Sequence, residues 1–404
     1  MSQVKYVEDG TILTPKGFQA DGLHSGVKRK RKDLGVIFSE KPASAAAVYT
    51  LNKIQAAPIA VTKESIKEEG KIQAVIVNSG NANACTGKQG MIDAYSMRKT
   101  TAEKFGIAEN YVAVASTGII GLELEMDKIT PNIDKLTVGT TKEHADNFGE
   151  AILTTDTFPK SACYEAEIDG KLVTMGGAAK GSGMIEPNMA TMLGFLTTDV
   201  AIDSDSLQMA LKEVVDDTFN CITVDGDTST NDMVIVLANG LAGNEPLTPE
   251  HPDWPVFIVL LKKTCEDLAK QIARDGEGAT KLIEVEVTGA KTNEDAKKAA
   301  KAVVASSLLK AAVFGTDANW GRIIAAVGYS GADIDPDKID ISLGDIQLLD
   351  KSETTGYSEE EATEYLQNDT VNIFVDLNIG DGQGKAWGCD LTYDYVRINA
   401  SYRS

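Results

Sequence analysis

The sequence predicts an α/β or α+β fold in which β-sheets are covered by helices and the chain divides into two lobes. Three observations carry this. Helical and strand periodicities alternate along the chain, no interval is of low complexity or repeats at a solenoid period, and 404 residues exceed one simple core. Hydrophobic residues make up 43% and charged residues 25%, an ordinary balance for a compact chain, so neither disorder nor a fibrous repeat is indicated.

Taken in order, Lys71 to Asn78 reads as a buried strand, Ile92 to Phe105 as an amphipathic helix and Val112 to Ser116 as a second strand. Both strands run into polar, glycine-bearing loops, Ser79 to Gly87 and Thr117-Gly118, and loops at strand ends often line sites. Cys163 to Met175 reads as two strands around Asp169-Gly170, the residue pair that a tight hairpin turn favours. Residues 205 to 220 carry Leu207, Leu211, Val214 and Val215 at helical spacing, with Asp203 or Ser204 placed to cap the start. Helices follow near 255 to 274 and 293 to 310. Val371, Ile373, Val375 and Leu377 then alternate as a half-buried strand should. Sheets layered with helices are the economical way to bury such faces.

A net charge of −21 repels phosphate backbones and anionic lipid, which excludes nucleic acid and membrane surfaces as partners. The run Lys28-Arg29-Lys30-Arg31-Lys32 is the exception, and in so acidic a chain it reads as a solvated loop or strand edge. No apolar stretch reaches the roughly 18 residues that span a bilayer, and Met1 to Lys5 lack a signal-peptide core, so the cytoplasm is the expected compartment. Cys85, Cys163, Cys221, Cys265 and Cys389 are scattered, odd in number and without C-x-x-C spacing. They read as small buried residues; neither a disulfide framework nor a zinc site is supported.

The catalytic vocabulary is narrow. Only His24, His144 and His251 exist, none in a catalytic context, and Gly328-Tyr-Ser-Gly331 closes one residue too early for a nucleophile elbow. Gly177-Ala-Ala-Lys-Gly-Ser-Gly183 lacks the spacing that wraps a phosphate. Asp225-Gly-Asp-Thr-Ser-Thr-Asn-Asp232 imitates the start of a calcium loop, but Thr230 stands where the sharp-turn glycine belongs and Val236 where the bidentate glutamate belongs. It reads instead as a polar loop or site wall, and no metal is expected.

What remains is Met175 to Asp199. A flexible glycine-rich approach leads to Pro187, then to small Ala190 directly before Thr191, then to an apolar run suited to a central strand. The bland reading is an ordinary loop entering a core strand. The sharper one is chemical: attack of Thr191 Oγ on the Ala190 carbonyl, an N-to-O acyl shift and hydrolysis, would split the chain and free a threonine α-amine. Such an amine, with an ordinary pKa of about 7.7 to 8.0, can serve as the base its own hydroxyl needs, and no histidine is then required.

The run from Gly177 to Leu193 resembles the self-processing signature of the ornithine acetyltransferases, also called glutamate N-acetyltransferases, of arginine biosynthesis. Further blocks resemble the family in family order: Gly17-Phe-Gln-Ala, Asn78 to Gly87, Ser116-Thr-Gly-Ile-Ile-Gly, Thr154 to Lys160, Arg274 to Lys281, Asp317-Ala-Asn-Trp-Gly-Arg and Asn399 to Ser404. Coverage is essentially the whole chain.

The resemblance implies roles. Thr191 would be the nucleophile and Ala190-Thr191 the cleavage site. An alpha chain of residues 1–190 and a beta chain of residues 191–404 would share one active site. Thr117 and Gly118 would form the oxyanion hole. Thr157, Lys180, Thr191, Glu277, Asn399 and Ser404 would bind substrate, with Lys180 meeting a carboxylate, Glu277 an ammonium, and Thr157 and Asn399 the amide. Read alone, Thr157, Lys180, Glu277, Asn399 and Ser404 would each pass for an exposed polar residue.

The implied reaction is ping-pong. The acetyl group of N-acetylornithine passes to Thr191 and then to glutamate, with acetyl-coenzyme A as a second donor in some members and no bound cofactor. The family also suggests a tetramer of two alpha and two beta chains. Two other readings stay open: an aminopeptidase or amidohydrolase of related self-processing type, and a non-catalytic amino-acid-binding protein.

Overall fold

The computed structural model describes residues 4–186 and 192–401, and these form two compact units. The first comprises Met1–Gly181, Asn188–Asp216 and Thr228–Leu268; the second comprises Ser182–Pro187, Asp217–Asp227 and Ala269–Ser404.

The first unit carries a nine-stranded sheet. Its strands are β1 (Lys5–Tyr6), β2 (Phe18–Leu23), β3 (Leu34–Tyr49), β4 (Lys71–Asn81), β5 (Val112–Ile119), β6 (Lys160–Ile168), β7 (Lys171–Lys180), β8 (Leu193–Thr198) and β9 (Met233–Ala238). They run in the order β1-β6-β7-β8-β9-β3-β4-β5, with β2 paired to β3. The pairs β4–β5 and β8–β9 are parallel, and the others are antiparallel. Helices α1 (Ala57–Glu69), α2 (Gly87–Phe105), α3 (Met126–Ile133), α4 (Lys142–Ala151) and α5 (Ser204–Asp216) lie in the same unit, and α6 spans Trp254–Arg274.

Both faces of the sheet are covered. Ile37, Ala45, Val75, Val77, Ala113 and Ala115 enter one core with Phe148 of α4 and Phe195 of β8. Leu34, Val36, Ala74, Ile76, Val112 and Val114 enter another with Val61 of α1, Ala94 and Met97 of α2 and Ile129 of α3. Burial on both sides is why β4 and β5 read as continuous apolar runs.

The hairpin falls where the sequence places it. β6 and β7 pair around Asp169 (φ 51°) and Gly170 (φ 65°), and two positive φ values are what a type I′ turn demands. The glycine-rich approach is a correction: Gly176 and Gly177 lie inside β7. A Cβ on Gly176 would sit 2.2 Å from the Thr11 carbonyl oxygen and one on Gly177 2.7 Å from the Leu268 side chain, so these glycines serve close packing. The expected apolar strand is β8, buried throughout between β7 and β9.

Asp203 caps α5, accepting from Ser206 N at 2.9 Å, and the helix ends at Asp216, short of residue 220. Helix α2 begins at Gly87, earlier than its apolar spacing suggests. Cys163, Cys221, Cys265 and Cys389 are buried, but Cys85 is exposed, in left-handed backbone (φ 57°) ahead of α2.

The second unit carries strands β10 (Leu282–Ala290), β11 (Asp340–Leu343), β12 (Ile346–Asp350), β13 (Glu353–Thr354), β14 (Thr370–Asp376) and β15 (Gly382–Cys389), ordered β13-β12-β11-β14-β10-β15. Its helices are α7 (Asn293–Ala305), α8 (Ser307–Phe314), α9 (Trp320–Tyr329), α10 (Glu359–Tyr365) and α11 (Tyr393–Ala400), with α7 packed on β10 and β15. The helix expected over 293 to 310 is two. Ser306 adopts extended backbone (φ −66°, ψ 107°), ends α7, and accepts from Leu309 N to cap α8. Val371, Ile373 and Val375 point inward from β14, as their alternation predicts. Among the described residues no helix is long and apolar enough to cross a membrane.

Candidate active site

The ladder between β4 and β5 carries the residues expected to hold an oxyanion. Thr117 and Gly118 are not in a loop; β5 continues through them in parallel register, Thr117 opposite Ser79 and Gly118 opposite Gly80 of β4. Thr117 is buried. Gly118 has φ 132°, and a Cβ there would lie 2.2 Å from the Gly80 carbonyl carbon, so conformation and space both demand glycine. Ser116, one residue earlier, donates from Oγ to Asn78 Oδ1 at 2.5 Å, and its carbonyl accepts from Asn231 Nδ2 at 2.9 Å. Backbone held this firmly can present fixed donors to developing negative charge.

Asn231 joins this end of β5 to the entry of β9, and β9 joins it to β8. Met233 pairs with Leu193, and Met233 N donates to the Met192 carbonyl at 3.0 Å. On the other side of β8, Leu193 pairs with Lys180, the last residue of β7. Lys180 is buried against expectation for an isolated lysine, with 8% of its surface exposed.

Beneath it lies Asp156, fully buried, which accepts from Lys160 Nζ at 2.8 Å, Gly181 N at 2.7 Å and Thr154 N at 2.9 Å. Burial alone would raise this carboxyl, but the Lys180 and Lys160 charges and these hydrogen bonds outweigh it and hold it well below the usual carboxylate range. Thr157, which is exposed, follows on the loop that Asp156 pins to the end of β7.

Asp156→Asn is expected to destabilise the fold by about 3 kcal/mol at neutral pH, because Lys160 loses its buried carboxylate partner. The sign follows from the depressed pKa. The contribution is complete above the unfolded carboxylate value of about 3.9 and is lost as pH falls below it. Denaturant titrations of both proteins at pH 7 and pH 3.5 check this; the gap between them should narrow at the lower pH.

The basic run departs from its expected solvation at both ends: Lys32 is half-buried and pairs with Glu150 at 3.2 Å. Arg29, Lys30 and Arg31 are exposed, but Lys28 folds back to donate to the carbonyls of Lys32, at 3.1 Å, and Leu153. Burial pushes its ammonium down to about 8 despite nearby Asp33. Arg31 Nη1 donates to the Asp156 carbonyl at 3.0 Å, so the run braces the Thr157 loop.

In the second unit, Glu277 is buried, with 7% exposure, and its Oε2 accepts from Asn399 Nδ2 of α11 at 2.8 Å. Glu277 N donates to the Ser182 carbonyl at 3.0 Å. Gly183 makes room for the acid: a Cβ there would lie 2.4 Å from the Glu277 carboxyl carbon. Asp225 takes Met184 N at 2.7 Å and Ile185 N at 2.9 Å, and Ser182 Oγ donates to the Asp275 carbonyl at 2.7 Å, so residues 182–185 are tied down. The loop that imitates a calcium site therefore spends its first aspartate on backbone. Among the described residues no group of His, Cys, Asp or Glu is placed to hold a metal ion.

The structure thus brings together Thr117 with Gly118, Lys180 with the Thr157 loop, and Glu277 with Asn399. Ala190, Thr191 and Ser404 lie outside the described residues. Reasoning from sequence missed Asp156, although it lies in the Thr154 to Lys160 block, and reached Asn231 only as part of a polar loop or site wall; the contacts of both come from distant partners. Chemically, the first unit offers strand-end donors and a buried lysine. Taken by itself, the second unit offers a buried carboxylate bonded to Asn399.

Over residues 19–404 the chain matches the ArgJ family. It is 63% identical over 403 residues to the arginine biosynthesis bifunctional protein ArgJ of Geobacillus kaustophilus (strain HTA426), covering 100% of this chain and 98% of the relative. The crystal structure of arginine biosynthesis bifunctional protein argJ from Bacillus halodurans matches at 62% identity, covering 47% of this chain and 100% of that one, with a TM-score of 0.47. That of an ornithine acetyltransferase complexed with ornithine, from Mycobacterium tuberculosis, matches at 34% identity over 46% of this chain and 100% of that one, with a TM-score of 0.43.

Proposed function

Because this chain belongs to the ArgJ family, we propose that it is an acetyltransferase of arginine biosynthesis that carries the acetyl group of N-acetylornithine to glutamate on Thr191. The observation that supports this best is the link from Ser116, two residues before Gly118, through Asn231 and β9, to Met192, the residue that follows Thr191 in the chain. It gives a threonine nucleophile a fixed oxyanion site.

The chain cuts itself between Ala190 and Thr191, leaving an alpha chain of residues 1–190 and a beta chain of residues 191–404 that share one active site. The Thr191 α-amine takes the Oγ proton as Oγ attacks the acetyl carbonyl. Thr117 and Gly118 hold the oxyanion, the C–N bond breaks, and ornithine leaves with the proton. Glutamate binds in its place, and its amine attacks the acetyl ester, giving N-acetylglutamate and free threonine. Lys180 pairs with the substrate carboxylate and Glu277 with an ammonium, Thr157 and Asn399 hydrogen-bond the amide, and Ser404 also binds substrate. The buried, hydrogen-bonded Glu277 suits a partner of opposite charge.

The bifunctional relatives support a second donor, acetyl-coenzyme A. No bound cofactor or metal enters this reaction, the two fragments assemble as two alpha and two beta chains, and the enzyme works in the cytoplasm.

Turnover of acetylornithine with and without glutamate tests the reading. Ornithine release should continue past one equivalent per site only when glutamate is present; sustained release without it would make the protein a hydrolase instead.

A further inference from the structure

Lys28 is a half-buried cation that the reaction as described leaves unused. Its neighbours place it at the candidate site. A Cβ added to Gly80, which pairs with Gly118 across the β4–β5 ladder, would lie 3.7 Å from Lys28 Cγ, so the lysine stem rests against the strand end that carries the oxyanion residues. Lys28 N donates to Asp33 Oδ2 at 2.8 Å and Ser79 N to the Asp33 carbonyl at 2.8 Å, which holds the segment before β3 on that same strand end. An ammonium has three hydrogens. Two go to the carbonyls of Lys32, at 3.1 Å, and Leu153, and among the described residues the third has no acceptor.

The charge around Lys28 is unbalanced. Burial works most strongly against its ammonium; Asp33 favours it, Lys180 and Arg31 oppose it, and Asp156 favours it. His24 Nε2 lies 2.7 Å from the Lys28 carbonyl and so is engaged with main chain. Asp156 also answers Lys160, its ion-pair partner, and Lys180. Four cations, Lys28, Arg31, Lys160 and Lys180, thus face two carboxylates, Asp33 and Asp156, in a chain whose net charge is −21. Such a local positive surplus suits a ligand that brings two carboxylates.

The acceptor in the proposed reaction brings two. Glutamate ends in a carboxylate where ornithine ends in an ammonium, and one charged group cannot attract both. We propose that Lys28 receives the side-chain carboxylate of glutamate while Lys180 holds the main-chain one, which makes Lys28 the residue that selects glutamate as acceptor. This rests on glutamate being the acceptor. The free hydrogen of Lys28 goes to the incoming carboxylate in a charge-assisted bond. N-acetylornithine, with its ammonium, gains nothing from it, so Lys28 acts on the second half of the cycle.

The test is a competition between acceptors. Processed enzyme receives acetylornithine with glutamate and glutamine together, and the yields of N-acetylglutamate and N-acetylglutamine, read by mass spectrometry, give the ratio of the two kcat/KM values. Glutamine keeps the amine and the main-chain carboxylate and replaces only the side-chain one, so damage to the fold slows both alike. Lys28→Met should lower the glutamate-to-glutamine ratio at least about tenfold, because the preference for the charged acceptor goes with its partner. An unchanged ratio overturns the proposal.

If Lys28→Met fails to fold or stays uncut, the wild type carries the test through pH. Burial brings the Lys28 ammonium down to about 8, so its charge is present below that value and lost above it. The ratio should therefore fall about tenfold between about pH 7 and pH 9, where the glutamate side chain stays ionised throughout. A flat ratio overturns the proposal. Sustained ornithine release without glutamate would instead remove the acceptor, and with it the function proposed above. Glutamate-dependent turnover with an unchanged ratio removes only the role of Lys28.

Discussion

Thr191→Ala is expected to run as one uncut chain on a denaturing gel, and the wild-type protein is expected to separate into fragments of 190 and 214 residues, the larger beginning Thr-Met-Leu-Gly. Acetyl transfer should fall by on the order of 10⁴-fold or more, because the variant loses the attacking oxygen and, uncut, never gains the amine that activates it. N-terminal sequencing and the acetylornithine assay read the two effects separately. Thr191→Ser, which keeps both groups, should still cut and retain activity. A Thr191→Ala chain that cuts would require another nucleophile, and the three histidines offer no evident replacement.

Gly118→Ala should lower kcat by about 10²- to 10³-fold with a much smaller change in KM, the pattern of an interaction made only in the transition state. The added methyl meets the Gly80 carbonyl carbon at 2.2 Å, in backbone with φ 132°, so the ends of β4 and β5 must part and the donors move. Backbone strain of about 1–3 kcal/mol should accompany this and be visible in the melting temperature. Gly106→Ala is the control. Gly106 has φ 65° at the end of α2, and a methyl added there would meet nothing within 4 Å, so strain should appear with kcat unchanged. Equal kcat losses in the two variants would show that strain alone, not the oxyanion site, is being measured.

Where local chemistry determines structure, the sequence is a sound guide. The Asp169-Gly170 turn, the Asp203 cap and the buried strands β4, β5 and β8 follow from turn propensity, capping and apolar runs. It fails where a distant contact decides. Gly176 and Gly177 look like a loop until Thr11 and Leu268 are seen against them, and the run 293 to 310 hides a break because Ser306 is surrounded by good helix formers.

The candidate site divides the same way. The nucleophile expected at Thr191 lies outside the described residues; Thr117 and Gly118 carry the weak local signal of a glycine at a strand end, whereas Lys180 and Glu277 have no local signal. Their burial is created by β4, by the Asp156 loop and by Gly183, all brought close only by the fold. Family resemblance supplied those residues where periodicity could not.

The pairing of β7 with β8 sets a consequence for the proposed cut. Cleavage at Ala190–Thr191 would leave β7 as the last strand before it and β8 as the first after it, joined through six cross-strand pairs, from Met175 opposite Thr198 to Lys180 opposite Leu193. Neighbouring strands of one chain would then become a seam between two molecules. The uncut chain would fold as a unimolecular event, but the cut protein, once unfolded, would have to find its other half in solution, so its recovery would become concentration-dependent. Such cleavage would make folding a one-way passage, and the working protein would persist through the height of the barrier to opening its seam.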